Sequence, residues 1–221
     1  MATETSARAE VLQRIRKATG AVSADPNRTA TIDAEWRAIR REYIQAPALS
    51  GEELLELLED RLRDYDAGVY RCEAANLSVL IGKILEERGK QLMALPEGIP
   101  VEWLPEGRRF LVDDRQGSAA LDTCDGVLTT ATLAIAQTGT IVLQDVAGQG
   151  RRAATLLPDY HLCLVPADSV VQSVPEAIRL LERTSALATT FFSGPSATAD
   201  IEMTRIKGVH GPRFVDVILI L

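Results

Sequence analysis

The chain has 221 residues, 46% of them hydrophobic and 25% charged, enough to bury a full core without disulfides or a structural metal. Its 31 acidic residues outnumber 24 basic ones for a net charge of −7, and no dense Lys/Arg block marks a nucleic-acid surface. Cys72, Cys124 and Cys163 stand too far apart for a thiolate metal site, and the longest apolar runs are far shorter than a membrane span. With no signal-peptide pattern at the N-terminus, the expectation is a cytoplasmic protein with reduced thiols.

The first 66 residues read as a helical segment. Val11, Leu12 and Ile15 recur at helical spacing between Ser6 and Thr19, and Gly20 closes that run. After the turn-rich SADPNRT, Asp33 to Ile44 forms a second candidate helix with Trp36, Ile39 and Tyr43 on one side. Ser50 to Tyr65 carries the strongest stripe, Leu54, Leu55, Leu57, Leu58 and Leu62, behind a Ser50/Glu53 capping box.

From residue 67 to 221 the texture becomes that of an α/β domain. VYRCEA reads as a strand, Asn76 to Arg88 as a helix ending at Gly89, and QLMAL and RRFLV as short strands. GVLTT, TIVLQ, HLCLVP, ATTFFS and FVDVILIL are further apolar, β-branched runs, with a helical stretch from Val174 to Arg183 among them. Strands alternating with helices predict βαβ units and a largely parallel, buried sheet, in which ligands tend to bind at the carboxyl ends of the strands.

Three clusters hold chemistry-bearing residues. In TTATLAIAQTGTIVLQ the apolar stretch before Gln137 reads as a short helix that Gly139 ends at positive φ before Thr140 opens a strand. Backbone amides there, with the hydroxyls of Thr138 and Thr140, can face a ligand; a helix stop before a core strand explains the same residues. In SGPSATADIE, Ser193 and Gly194 precede Ser196 or Thr198 as caps of a helix through Ile201 and Ile206. Asp200 and Glu202 then sit near its N-terminus, which favours carboxylates with or without a function. In GVHGPR, His210 and Gly211 form a tight loop, and Arg213 offers a fork for a carboxylate or phosphate, or for a surface ion pair. His161, opening HLCLVP, reads as a hydrogen-bonded residue at a strand end. No GxxxxGK[ST], HExxH, GxSxG or GxGxxG pattern occurs.

Taken in order, IAQTGTIVLQ, Arg152 with Leu157-Pro158, HLCLVP, SGPSATADIE and GVHGPR resemble the lactate-utilization protein C family, whose members carry the LUD domain. The resemblance is strong from about Asp125 to Leu221 and looser before it. It implies a Rossmann-like α/β domain similar to those of sugar-phosphate isomerases, CoA transferases and formyltetrahydrofolate cyclo-ligases, and a part in oxidation of L-lactate to pyruvate beside iron–sulfur partner proteins. Iron–sulfur clusters then belong to the partners, and this chain binds no cofactor of its own. Where many relatives have Glu, this chain has Gln137, which can orient a ligand but not attack it or act as a base.

Two functions follow from these features. One is an accessory, binding subunit whose pocket holds a small anion or a partner segment with Gln137, Thr138, Gly139, Thr140, Arg152, Ser193, Gly194, Ser196, Thr198, His210 and Gly211. The other is a stand-alone enzyme on a phosphorylated sugar or an acyl-CoA. Asp200 or Glu202 would then be its acid/base, and His210 or Arg213 would hold anionic groups.

Overall fold

The computed structural model describes residues 7–19, 28–40, 42, 49, 51–115, 117–198, 206–208 and 210–221. These fall into two compact units, Met1–Tyr43 and Ile44–Leu221. The first holds α1 (Ala7–Ala18) and α2 (Arg28–Ala38), whose apolar Val11, Leu12, Ile15, Ile32 and Trp36 are all exposed. Tyr43, Ile44 and Ser50, named above in a helix and a capping box, lie outside the described residues.

The second unit opens with α3 (Gly51–Asp64), which buries Leu55, Leu58 and Leu62 as its stripe predicts. Burial of each such leucine is worth about 2 kcal/mol. Arg71 on β1 (Gly68–Cys72) donates to both Glu59 and Glu52 of α3 and ties the helix to the sheet edge.

Six strands form one wholly parallel sheet. They are β1, β2 (Leu92–Leu95), β3 (Arg109–Val112), β4 (Gly126–Thr130), β7 (Tyr160–Pro166) and β12 (Phe214–Ile220), in the order β1-β12-β7-β4-β2-β3. A second sheet contains β5 (Leu133–Ile135), β6 (Thr140–Gln144), β8 (Val170–Val171) and β9 (Thr189–Phe192), in the order β8-β5-β6-β9. Its β5–β6 and β6–β9 pairs are antiparallel.

The two sheets stack as layers. On one face of the parallel sheet Leu128, Leu162, Leu164 and Ile218 pack with Leu77, Ile81, Ile84 and Leu85 of α4 (Leu77–Glu87). On the other, Cys163, Val165, Val217 and Leu219 meet α3 together with Ala134, Ile141 and Leu143 of the second sheet. The outer side of that second sheet is covered by Ala177 and Leu181 of α6 (Val174–Leu181). The short α5 (Ala119–Asp122) buries Leu121 against Ala94 and Val127. With both faces covered, a central strand such as Tyr160–Val165 is buried throughout, so its sequence lacks the apolar/polar alternation of a half-exposed strand.

Two local readings change. The residues before Gln137 form β5 and a single 3₁₀ turn, Ala136–Thr138, rather than a helix. Leu133 and Ile135 face the α6 cluster while Ala134 faces the α3 cluster, so both sides of this run are apolar and its strand period is hidden. Gly139 does take positive φ (57°), as the tip of a β-hairpin. Likewise, Ala197–Thr198 (β10) and Ile206–Lys207 (β11) pair as antiparallel strands, where a helix through Ile206 was expected. That pairing supplies long-range backbone partners which a cap argument, confined to neighbours in sequence, leaves out.

Candidate functional site

A cleft of about 250 Å³ opens at the amino ends of β7 and β12, where they meet β6 and β9 of the second sheet. Its lining includes Arg152, Thr155, His161, Phe192, Ser193, Gly194, Ser196, His210 and Gly211. It lies at the opposite end of the parallel sheet from the one the general rule for such sheets favours. At the carboxyl ends of β2, β3 and β4, charged groups are already paired. Arg151 forks onto Asp113 at 2.8 and 2.9 Å, and Arg115 meets Asp145 at 2.5 Å. The Gly148 carbonyl accepts from Thr130 N–H there at 2.7 Å.

His161 is the polar floor of the cleft. Alternation along β7 sends Tyr160 and Leu162 toward α4, and His161 with Cys163 toward the second sheet. The imidazole is 2% exposed, with its Nε2 2.8 Å from Thr129 Oγ1 and its ring tilted against Phe192 at 5.1 Å between centroids. Burial, followed by the charge of nearby Arg152, pushes its pKa down to about 3, so the ring is neutral at physiological pH. Cys163 Sγ lies 3.6 Å from the same Thr129 hydroxyl, and burial pushes that thiol up to about 12.

Arg152 sits beside this floor at the exposed rim. Its Nη1 donates to Thr155 Oγ1 at 3.1 Å, and it has no carboxylate partner among the described residues. A guanidinium with no carboxylate partner among the described residues, next to a neutral imidazole, has the chemistry to hold an anion.

The wall comes from the Ser193–Ala197 segment. Ser193 Oγ is 2.8 Å from Thr140 Oγ1, which is in turn 2.8 Å from Thr138 Oγ1. A chain of hydroxyls therefore links the β5–β6 hairpin to the cleft. Ser196 Oγ accepts from His210 N–H at 3.1 Å, and Ser196 N–H donates to the Pro212 carbonyl at 2.8 Å, which ties His210 and Pro212 to this wall.

Gly139 and Gly194 both rest on the end of α3. A Cβ on Gly139 would come within 2.8 Å of Arg61 Cβ, and one on Gly194 within 2.6 Å of Tyr65 Cβ and 2.7 Å of its carbonyl oxygen. Both hold positive φ, 57° and 73°. Gly194→Ala therefore adds a backbone clash to left-handed strain and is expected to cost about 2–4 kcal/mol in urea denaturation. Gly89→Ala, at φ 66° with open space around it, is expected to cost only about 1 kcal/mol. Equal losses in the two variants would show that the packing on Tyr65 does not matter.

The structure thus gathers Arg152, Ser193, Gly194, Ser196, His210 and Gly211 around one cleft. Thr140 supports it through Ser193. Gln137 and Thr138 are exposed at the hairpin tip and Gly139 is buried against α3; none of the three lines the cleft. Arg213 points elsewhere, its fork held by Asp159 at 2.5 and 2.9 Å. Thr198 is placed by its backbone in β10, and Asp200 and Glu202 lie outside the described residues. His161 and Thr155 are the additions. Nothing in HLCLVP separates a histidine facing a cavity from one facing the core until β6 and β9 are in place.

Comparison with known proteins agrees with this architecture. The LUD domain model matches residues 37–220. A lactate utilization protein C from Deinococcus radiodurans is 43% identical over 180 residues, covering 80% of this chain and 84% of its own length. Another from an Exiguobacterium species is 30% identical over 199 residues, covering 82% of this chain and 86% of the relative. The crystal structure of a DUF162 family protein from D. radiodurans superposes with a TM-score of 0.67 at 36% identity, covering 78% of this chain and 99% of that one. The chain belongs to the LUD domain family.

Proposed function

We propose that this chain serves lactate utilization as a non-redox binding subunit whose cleft holds a small carboxylate. Electron transfer falls to iron–sulfur partner proteins in the cytoplasm. The observation that carries the reading is the pairing, in one cleft, of the Arg152 guanidinium, which lacks a carboxylate partner among the described residues, with the buried neutral His161. The relatives named lactate utilization protein C give it its direction.

Size supports a small ligand. A volume of about 250 Å³ equals roughly eight waters of liquid and lies below the range usual for drug-sized molecules. Charge supports an anion, because Arg152 is a fixed cation at the rim of an otherwise acidic chain. The thiols serve packing. Cys72, Cys124 and Cys163 are free and buried, and burial raises the pKa of each, so none is poised as a thiolate. Among the described residues no helix is long and apolar enough to cross a membrane.

Calorimetric titration of the purified chain with L-lactate tests the reading. Binding is expected for the native protein, and Arg152→Ala is expected to weaken it about 10- to 100-fold, since a charge-assisted hydrogen bond contributes about 1.5–3 kcal/mol. Lactate-dependent dye reduction by the iron–sulfur partners, with and without this chain, tests the assembly. If the partners run equally well alone, and the chain binds neither them nor lactate, the proposal fails.

A further inference from the structure

We infer that the cleft selects carboxylates bearing a hydroxyl or oxo group on carbon 2, with His161 Nδ1 as the specificity-determining atom; this rests on the carboxylate-binding reading above. The geometry assigns the two ring nitrogens different tasks. Nε2 is committed to Thr129 Oγ1 at 2.8 Å. Nδ1 has no hydrogen-bond partner among the described residues, and none of their fully buried side-chain polar atoms is left unsatisfied. In a residue that lines the cleft, this leaves Nδ1 on the cleft side of the ring. A ligand carboxylate held by Arg152 brings its second carbon to the floor, where Nδ1 is the polar group that can meet it.

The ring can serve either oxidation level without changing its charge. When the Thr129 hydroxyl donates to Nε2, the proton of the neutral imidazole sits on Nδ1 and can be donated to a keto oxygen. When the Thr129 hydroxyl turns toward Cys163 Sγ, 3.6 Å away, Nε2–H donates to Thr129 Oγ1 and Nδ1 accepts from a ligand hydroxyl. The Thr129 hydroxyl, flanked by an acceptor on each side, sets the tautomer. A 2-hydroxy acid and the 2-oxo acid derived from it are thereby both accommodated. A carboxylate with only hydrogens on carbon 2 leaves Nδ1 desolvated and unpaired.

Titration of the native chain with L-lactate, pyruvate and propionate reads this directly. Lactate and pyruvate are expected to bind at least about tenfold more tightly than propionate. His161→Phe is expected to bring all three within about twofold of one another, chiefly by loss of lactate and pyruvate affinity. Imidazole ¹⁵N shifts of the native protein supply a readout independent of any variant: Nδ1 is expected to shift with lactate and pyruvate and to stay fixed with propionate. If propionate binds as tightly as lactate, or the phenylalanine variant keeps the preference, the specificity inference is overturned while carboxylate binding stands. If none of the three acids binds, carboxylate binding itself falls, and the inference with it.

Discussion

Replacing Asp216 by alanine is expected to cost about 3–5 kcal/mol, the largest single loss anticipated in this chain. Asp216 is fully buried on β12 and accepts three hydrogen bonds. Arg88 donates Nε and Nη2 at 2.8 and 2.6 Å, and the Tyr160 hydroxyl donates at 2.9 Å. Burial, then the Asp216 charge, holds the Tyr160 phenol protonated far above its ordinary range, and the hydrogen bond to Asp216 raises the Arg88 pKa further. Alanine leaves the buried Tyr160 phenol without its acceptor and the partly exposed Arg88 guanidinium without its partner. Urea denaturation of native protein and Asp216→Ala measures the loss. Because the penalty comes from stranded partners, Asp216→Leu combined with Arg88→Met is expected to recover more than half of it. A double variant no more stable than the single one would place the loss in packing instead. Gly68 is part of the same arrangement, since a Cβ there would collide with the Asp216 carboxylate.

The second large effect depends on pH. His161 has a folded pKa of about 3 against about 6.5 when unfolded. The unfolded chain therefore takes up a proton below pH 6.5 that the folded chain refuses. The His161 contribution is complete above pH 6.5 and declines as pH falls toward 3. At 1.36 kcal/mol per unit, the span from pH 6.5 to 4 carries about 3 kcal/mol. The carboxylates held low by arginine partners, Asp113 by Arg151 and Asp159 by Arg213, lose their contributions as pH falls through the carboxylate range. Their losses begin at about pH 5, so the difference between the native protein and a histidine variant isolates the imidazole. Urea midpoints at half-unit steps are expected to fall steeply for the native protein and about 3 kcal/mol less for His161→Phe. Parallel curves would mean that the imidazole takes its proton in the folded state.

The α/β architecture was legible because the buried strands are mostly apolar runs and α4 ends on a recognisable signal. Gly89, at positive φ, follows α4 as read, and the leucines of α3 face the core as read. β6 and β9 were legible as the runs TIVLQ and ATTFFS, but their place in a second, separate sheet was not. β5, apolar on both sides, gives no period to read, and β8 is only two residues long. The cleft was half legible, through SGPS and GVHGP. Its floor was not, because the roles of His161 and Thr129 come from a strand pairing 32 residues apart in sequence. The choice of sheet end also escaped the sequence, since the paired charges at the carboxyl ends meet only after folding.

The seat of Gly139 and Gly194 on α3 has a mechanical consequence. Both loop tips touch one helical turn, Arg61 to Tyr65, that lies outside the cleft. The helix acts as a gauge: shift that turn outward, and the hairpin tip and the serine wall lose their common stop together. The aperture of the cleft is therefore set by a part of the chain that never touches what the cleft contains.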